Sequence, residues 1–463
     1  MTVSALRSRG DPSAPWAARS LAPLRSPTSN AVVAGQAGDK NPRAKSLSRR
    51  EFKARQRRGD EEREREGSSN PDAATTVDAA AVTSPAGGAA MDFSHFGFPS
   101  REWESFVAQN PAAIIVPPIP SSIEEMKRQG NAVRIERGRA HIAEEGLADK
   151  FTTADYTIPT RDGSAVTMRA YRPTGAPENQ PLPALVWFHG GGFLFGSLDG
   201  ETYVCGLLCH RLQCAVLHIC YRHTPEFTHP TAHNDVHDGF DFICTHAADL
   251  AVDRSRLIVG GISSGGQLAA SVTYREVLAG RGGATAGANG VQRQQSPRIR
   301  GQVLSIPWLC HRDAYPYHLF RDRGRASTMQ CLWAPVTPKP RADLFTDLLR
   351  VEDVHDRLSN LAQASEDELT GTVRTALVSA GMDVKRDEGL MYALKLKSLG
   401  VQTKVHVFPG LPHAFYMFPD LPSRARYHEA VVECARWAFG DEPGQKQWYV
   451  EPPPREFADD GAI

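Results

Sequence analysis

The sequence predicts an α/β chain, a mostly parallel central sheet flanked by helices, and three observations carry that expectation. Short apolar, β-rich runs ("ALVWFHG", "AVLHICYR", "RLIVGG", "GQVLSIPW", "TALVSAG" and "KVHVFPG") alternate with segments of helical character, as in a parallel sheet covered on both faces. One stretch, "RLIVGGISSGGQLAA", passes through paired glycines and two serines straight into a helix. The other residues able to do chemistry stand just past the carboxyl ends of such runs, where open parallel sheets bind their ligands.

Composition narrows the field. At 463 residues with 41% hydrophobic content the chain can bury a sizeable core. Its 53 basic residues balance 53 acidic ones, so no global field draws it to nucleic acid or to a charged membrane surface. No apolar run approaches the roughly 20 residues of a membrane span, and no stable membrane insertion is expected. The eight cysteines (205, 209, 214, 220, 244, 310, 331 and 434) lie in apolar segments, and no secretory h-region opens the chain. That usage points to reduced, buried thiols in a cytoplasmic protein. Cys205, Cys209, His210 and Cys214 have no second C-x-x-C pair to complete a zinc site. His229, His233 and His237 recur at i, i+4, i+8, but nothing else in the sequence calls for a metal, and none is expected.

Taken in order, residues 1–90 are rich in Arg, Ser, Pro, Gly and Ala and almost free of aromatics. Such a composition cannot offset its ordering entropy, so a disordered tail is expected. Its first 30 residues hold one acid, Asp11, which makes a mitochondrial transit peptide the alternative localisation. Pro12, Pro15, Pro23 and Pro27 would interrupt the amphipathic helix such peptides use. Order is expected from Met91, and residues 91–150 read as a helical cap. There Ser121 stands three residues before Glu124, a capping-box signal, ahead of apolar Ile123, Met126, Val133 and Ile142. "DYTIPTRDGSAVTMRAYRP" then alternates on both sides of Asp162-Gly163, a β-hairpin pattern. Residues 151–440 carry the strand–helix alternation. A floppy surface loop at 281–298 and a strandless, lid-like insertion at about 311–370 interrupt it. Residues 441–463 read as a C-terminal tail.

The chemistry gathers at four strand ends. Gly261-Ile262-Ser263-Ser264-Gly265 is a G-x-S-x-G pattern in a strand–turn–helix context. The turn demands small residues two before and two after the nucleophile, and only Ser263 has glycine at both places; Ile262 rules out the register centred on Ser264. Ser263 is therefore the candidate nucleophile, and Ser264 offers a backbone N–H. A serine hydroxyl needs a base to take its proton, and "VFPGLPHAF" supplies His413 after the last predicted strand. The imidazole needs a carboxylate to fix its tautomer, and Asp383 follows the preceding strand. Asp387 and Glu388 are alternative acids, but both lie deeper in the following helix. His189-Gly190-Gly191-Gly192 leaves another strand with unhindered N–H groups that can face a developing oxyanion. Gly191, Gly192 and Ser264 are the candidate oxyanion donors, with Gly190 as a further one.

With those residues placed, the chain resembles the hormone-sensitive-lipase-like branch of the α/β-hydrolases (α/β-hydrolase fold-3), from about Met91 to Phe439. "HGGGFLFGSLDGETY" is similar to the HGGG block, "YRHTPEFTHPTAHND" to the Tyr-Arg-x-x-Pro-Glu segment, and "GMDVKRDEG" to the Asp-Pro-Leu-Arg-Asp-Glu-Gly segment. The resemblance implies a serine esterase of lipase-like type, an EC 3.1.1 carboxylic-ester hydrolase. Its triad would be Ser263, Asp383 and His413, with no metal or organic cofactor, and an N-terminal cap would shape the pocket. Four positions depart from the pattern: Ile262 replaces Asp or Thr, Ser264 replaces Ala, and Val384-Lys385 replaces Pro-Leu. The expected partner is a small, apolar ester. Amide or lactone hydrolysis and acyl transfer fit the same residues. A small-molecule receptor is the competing class, disfavoured because His413 is present. Tyr315, Tyr317, Phe320 and Trp333 in the lid-like insertion read as pocket or core aromatics.

Overall fold

The computed structural model describes residues 90–115, 122–177, 179–282, 285–286, 292–293, 298–441 and 448–457. The expected tail at 1–90 lies outside the described residues apart from Ala90, and most of the 281–298 loop lies outside them as well.

The apolar runs form one nine-stranded sheet. Its strands are β1 (Phe151–Pro159), β2 (Ala165–Pro173), β3 (Leu182–Phe188), β4 (Ala215–Cys220), β5 (Val252–Ile262), β6 (Gly301–Ser305), β7 (Arg374–Met382), β8 (Thr403–Pro412) and β9 (Trp448–Val450). Their spatial order is β1-β2-β4-β3-β5-β6-β7-β8-β9. The hairpin read around Asp162-Gly163 is present, with Phe151 opposite Pro173 and Pro159 opposite Ala165. β2 pairs antiparallel with β4, and every later pairing is parallel. The ninth strand corrects the sequence reading, which ends the sheet at β8 and leaves 441–463 as a tail. Three residues carry too little periodicity to stand out, but Val405, His406 and Val407 pair with them.

Alternation along the strands builds two cores. Ala184, Val186 and Phe188 of β3 join one buried cluster, while Leu185 and Trp187 join the other. Helices α4 (Thr231–Thr245), α5 (Ser264–Gly282) and α7 (Arg386–Ser398) cover the first face, with Phe240, Leu268 and Leu390 buried against it. Helices α3 (Thr202–Leu212) and α8 (Ser423–Phe439) cover the second through Leu208, Val431 and Ala435. Each large apolar side chain buried this way contributes roughly 1.5–3 kcal/mol. β3 connects to β4 on one side, and β5 then takes its other side. The chain thus changes direction at β3 and leaves a crevice beyond the carboxyl ends of β3 and β5.

Two segments lie outside this frame. Residues 91–150 hold α1 (Arg101–Gln109) and α2 (Ile123–Glu144). Ser100 caps α1 by accepting from the Trp103 N–H, and buried Glu102 accepts from Ser423 at 2.7 Å through both its N–H and its hydroxyl. The sequence caps α2 at Ser121, whereas Ser122 does so, its Oγ accepting from the Glu125 N–H at 3.0 Å. Of the four apolar residues named along it, only Met126 is buried, and Val133 is exposed. Residues 311–370 form short helical turns and α6 (Lys339–Leu349), with no strand beyond a bridge from Phe320 to Met91. Tyr315 and Phe320 pack into the core, Tyr317 is packed against it, and Trp333 is exposed.

Among the described residues no helix is long and apolar enough to cross a membrane. None of the eight cysteines, all among the described residues, is joined in a disulfide, and seven are buried while Cys220 is partly exposed.

Candidate active site

β5 ends in a turn that only small residues can make. A Cβ on Gly261 would sit 2.3 Å from the Gly265 carbonyl oxygen, and one on Gly265 would sit 2.0 Å from that of Phe188. Both distances lie far inside van der Waals contact, so the glycines are demanded by sterics. Ser263, between them, is held at φ 55°, a left-handed conformation that strains a non-glycine residue. Three backbone bonds hold it there: its N–H donates to Ser305, and its carbonyl accepts from Gln267 and Trp308. The Ser263 side chain lines a cavity. Ser264 is fully buried, its Oγ 3.4 Å from the Tyr221 hydroxyl.

Two further strand ends meet this turn. His413 follows β8, with its Nε2 3.0 Å from Ser263 Oγ and its Nδ1 2.7 Å from Asp383 Oδ2. Asp383 follows β7, and its Oδ1 accepts from the Lys385 N–H at 2.8 Å. The carboxylate accepts Nδ1–H, which leaves Nε2 as an acceptor for the serine proton. The structure therefore brings together the three side chains that the sequence singles out from positions 150 residues apart. Asp387 and Glu388, the alternative acids, are turned to other partners. Asp387 is buried against Arg386 at 2.6 Å and accepts from the Ser327 N–H. Glu388 lies 3.7 Å from Lys385, and burial pushes its carboxyl up to about 8.

The glycine loop after β3 forms the rim of the cavity. Gly190, Gly191 and Gly192 line it together with Ser263 and His413. Gly192 has φ 62°, and a Cβ there would meet the Phe345 ring at 2.3 Å. His189 lies beneath and anchors the loop. Its Nδ1 is 2.8 Å from His218 Nε2 and its Nε2 is 2.9 Å from His223 Nε2. Tyr221 stacks on its ring and donates to its carbonyl at 2.8 Å. Burial pushes the His189 imidazole well below its ordinary range and holds His218 and His223 at about 3. All three are neutral rings that share protons and carry no charge at neutral pH.

The cavity measures about 400 Å³, within the range of small-molecule sites. Its walls come from the two outer segments: Met126, Val133 and Arg134 of α2, and Val336, Arg341 and Phe345 around α6. Trp308, Lys385 and Tyr416 complete it. Sequence reasoning misses most of these. Met126, Gly130 and Val133 do recur at helical spacing, but the same spacing marks a core-facing stripe. None of Tyr315, Tyr317, Phe320 and Trp333 is among the lining residues; the two that are buried, Tyr315 and Phe320, serve the core. Of the i, i+4, i+8 histidines, His229 bonds Asp356 at 3.1 Å and His237 bonds Ser271 at 3.3 Å, while His233 packs edge-on against His229 with ring centres 5.0 Å apart.

Comparison with known proteins agrees with this fold. A sequence profile of the alpha/beta hydrolase fold matches residues 185–417. The versiconal hemiacetal acetate esterase of Dothistroma septosporum is 25% identical over 286 residues, 61% of this chain and 81% of that protein. The carboxylic ester hydrolase LipN of Mycobacterium tuberculosis is 30% identical over 287 residues, 61% of this chain and 70% of that protein. Among solved structures, vibralactone cyclase superposes with a TM-score of 0.65 at 26% identity, covering 77% of this chain and all (100%) of the other.

Proposed function

The chain belongs to the α/β-hydrolase fold family, and from that premise we propose that it is a serine hydrolase of carboxylic esters. The observation that carries this reading is the hydrogen-bonded chain Ser263–His413–Asp383 opening into an apolar cavity. Ser263 Oγ attacks the ester carbonyl carbon while His413 Nε2 takes its proton. Asp383 accepts the Nδ1–H bond and stabilises the imidazolium. The N–H groups of Gly191, Gly192 and Ser264 receive the oxyanion, each such donor being worth on the order of 100-fold or more in rate. The imidazolium then protonates the leaving alcohol, and water, deprotonated by His413, releases the acid from the acyl-enzyme.

Acyl transfer is the second reading, favoured by the likeness to vibralactone cyclase. There a hydroxyl group, within the substrate or on another molecule, would replace water in the second half-reaction. The first half-reaction is the same.

A panel of 4-nitrophenyl esters of increasing acyl length tests the proposal. Turnover with at least one acyl length is expected, with loss of at least about a thousandfold in Ser263→Ala, whose residual rate would come from the oxyanion donors and binding alone. Hydrolysis that survives in Ser263→Ala would overturn it.

A further inference from the structure

The charges in the cavity have one sign. Among the described residues that line it, Lys385, Arg341 and Arg134 are cations, and no aspartate or glutamate accompanies them. Arg134 Nη1 donates to the Gly190 carbonyl and Arg341 Nη1 to that of Val336, each at 3.0 Å. Those contacts orient the guanidinium groups at the cavity wall.

Lys385 stands nearest the reacting groups in the chain, two residues past Asp383, where the motif this sequence resembles carries leucine. Its side chain is 12% exposed. Its Nζ lies 4.2 Å from the centre of the Trp308 ring, and Trp308 is itself bonded to the Ser263 carbonyl at 3.1 Å. The carboxyl group that faces it is Glu388, at 3.7 Å. Burial keeps that carboxyl largely protonated at neutral pH, since its pKa is pushed up to about 8. An ammonium in an apolar cavity is costly unless something negative completes it.

We propose that the substrate supplies the complement: the site takes esters that carry a carboxylate, and Lys385 is the residue that selects it. Arg134, held at the rim by the Gly190 carbonyl, adds to the attraction. A carboxylate reaching the Lys385 ammonium forms a charge-assisted contact, whereas a purely apolar acyl chain offers the ammonium no anion. The inference rests on the reading of Ser263 as the nucleophile of an ester hydrolase.

The test compares the mono-4-nitrophenyl ester of glutaric acid with 4-nitrophenyl hexanoate, a neutral ester of the same length. The quantity measured is the ratio of kcat/KM for the two, in the wild type, Lys385→Leu and Lys385→Arg. The ratio of anionic to neutral ester is expected to fall at least tenfold in Lys385→Leu, chiefly through KM, and to be largely retained in Lys385→Arg. An unchanged ratio, or an equal loss on both esters, would overturn the inference and leave Lys385 as a structural neighbour of Trp308 and Glu388. Failure of the wild type to cleave either ester while other acyl lengths are turned over would overturn this inference alone; failure across the whole ester panel would overturn the hydrolase reading, and this inference with it.

Discussion

The turn after β5 and the turn after β7 each deliver one residue to the site, but different physics builds them. In the first, backbone crowds the positions on either side of Ser263, and a Cβ at Gly261 or Gly265 would meet carbonyl oxygen at 2.3 or 2.0 Å. In the second, three buried carboxyl residues, Asp383, Asp387 and Glu388, stand within six positions, and only their partners tell them apart. Asp383 meets His413, Asp387 meets Arg386 and Ser327, and Glu388 meets Lys385. Steric demand has one answer in the amino-acid alphabet, and that answer is visible in the sequence. Charge partnership has several, and the fold chooses among them.

Exchanging the carboxylates one at a time gives the largest expected effect. Asp383→Asn should lower kcat about 10⁴-fold, as loss of the triad carboxylate does in serine proteases, with the urea midpoint nearly unchanged. Asp387→Asn should do the reverse. It leaves Arg386, fully buried, without its charge partner, a defect that typically costs about 3–5 kcal/mol of stability, while folded molecules keep their turnover. Urea unfolding together with active-site titration separates the two outcomes. Loss of turnover per folded molecule in Asp387→Asn alone would move the catalytic acid to the wrong side of this comparison.

A smaller effect is expected at Glu388. Its pKa in the fold is about 8 against 4.5 for a free side chain, so the folded state holds a proton that the unfolded chain releases. Its stabilising contribution is therefore complete below pH 4.5 and is lost as pH rises through about 8. Between pH 5 and 9 the melting temperature of the wild type should fall relative to that of Glu388→Gln, and the two should converge at the acid end. Parallel profiles would mean that Glu388 is ionised in the fold, fully paired with Lys385.

The same division sets how much was legible in the sequence. The sheet, the crossover helices and the residues at four strand ends could be read because alternation, glycine spacing and chain order each constrain one outcome. Ser122 could not be told from Ser121 as the cap of α2, because both hydroxyls precede an acidic residue by three positions. Trp448–Val450 escaped because a three-residue edge strand is defined by its neighbour β8 and not by its own pattern. The His189–His218–His223 cluster was invisible for a related reason: its rings come from three different parts of the chain and meet only beneath the glycine loop. The cavity walls were missed because Val133, Arg134, Arg341 and Phe345 look like ordinary helix residues until two outer segments close over the sheet.

The assignment of Ser263, and not Ser264, as the nucleophile is tested most directly by covalent labelling. A serine whose proton is being removed attacks the phosphorus of a fluorophosphonate and expels fluoride, and peptide mass spectrometry locates the adduct. One adduct is expected, on Ser263; it should be absent in Ser263→Ala, retained in Ser264→Ala and formed far more slowly in His413→Ala. An adduct on Ser264, or labelling of Ser263 at an undiminished rate without His413, would contradict the assignment.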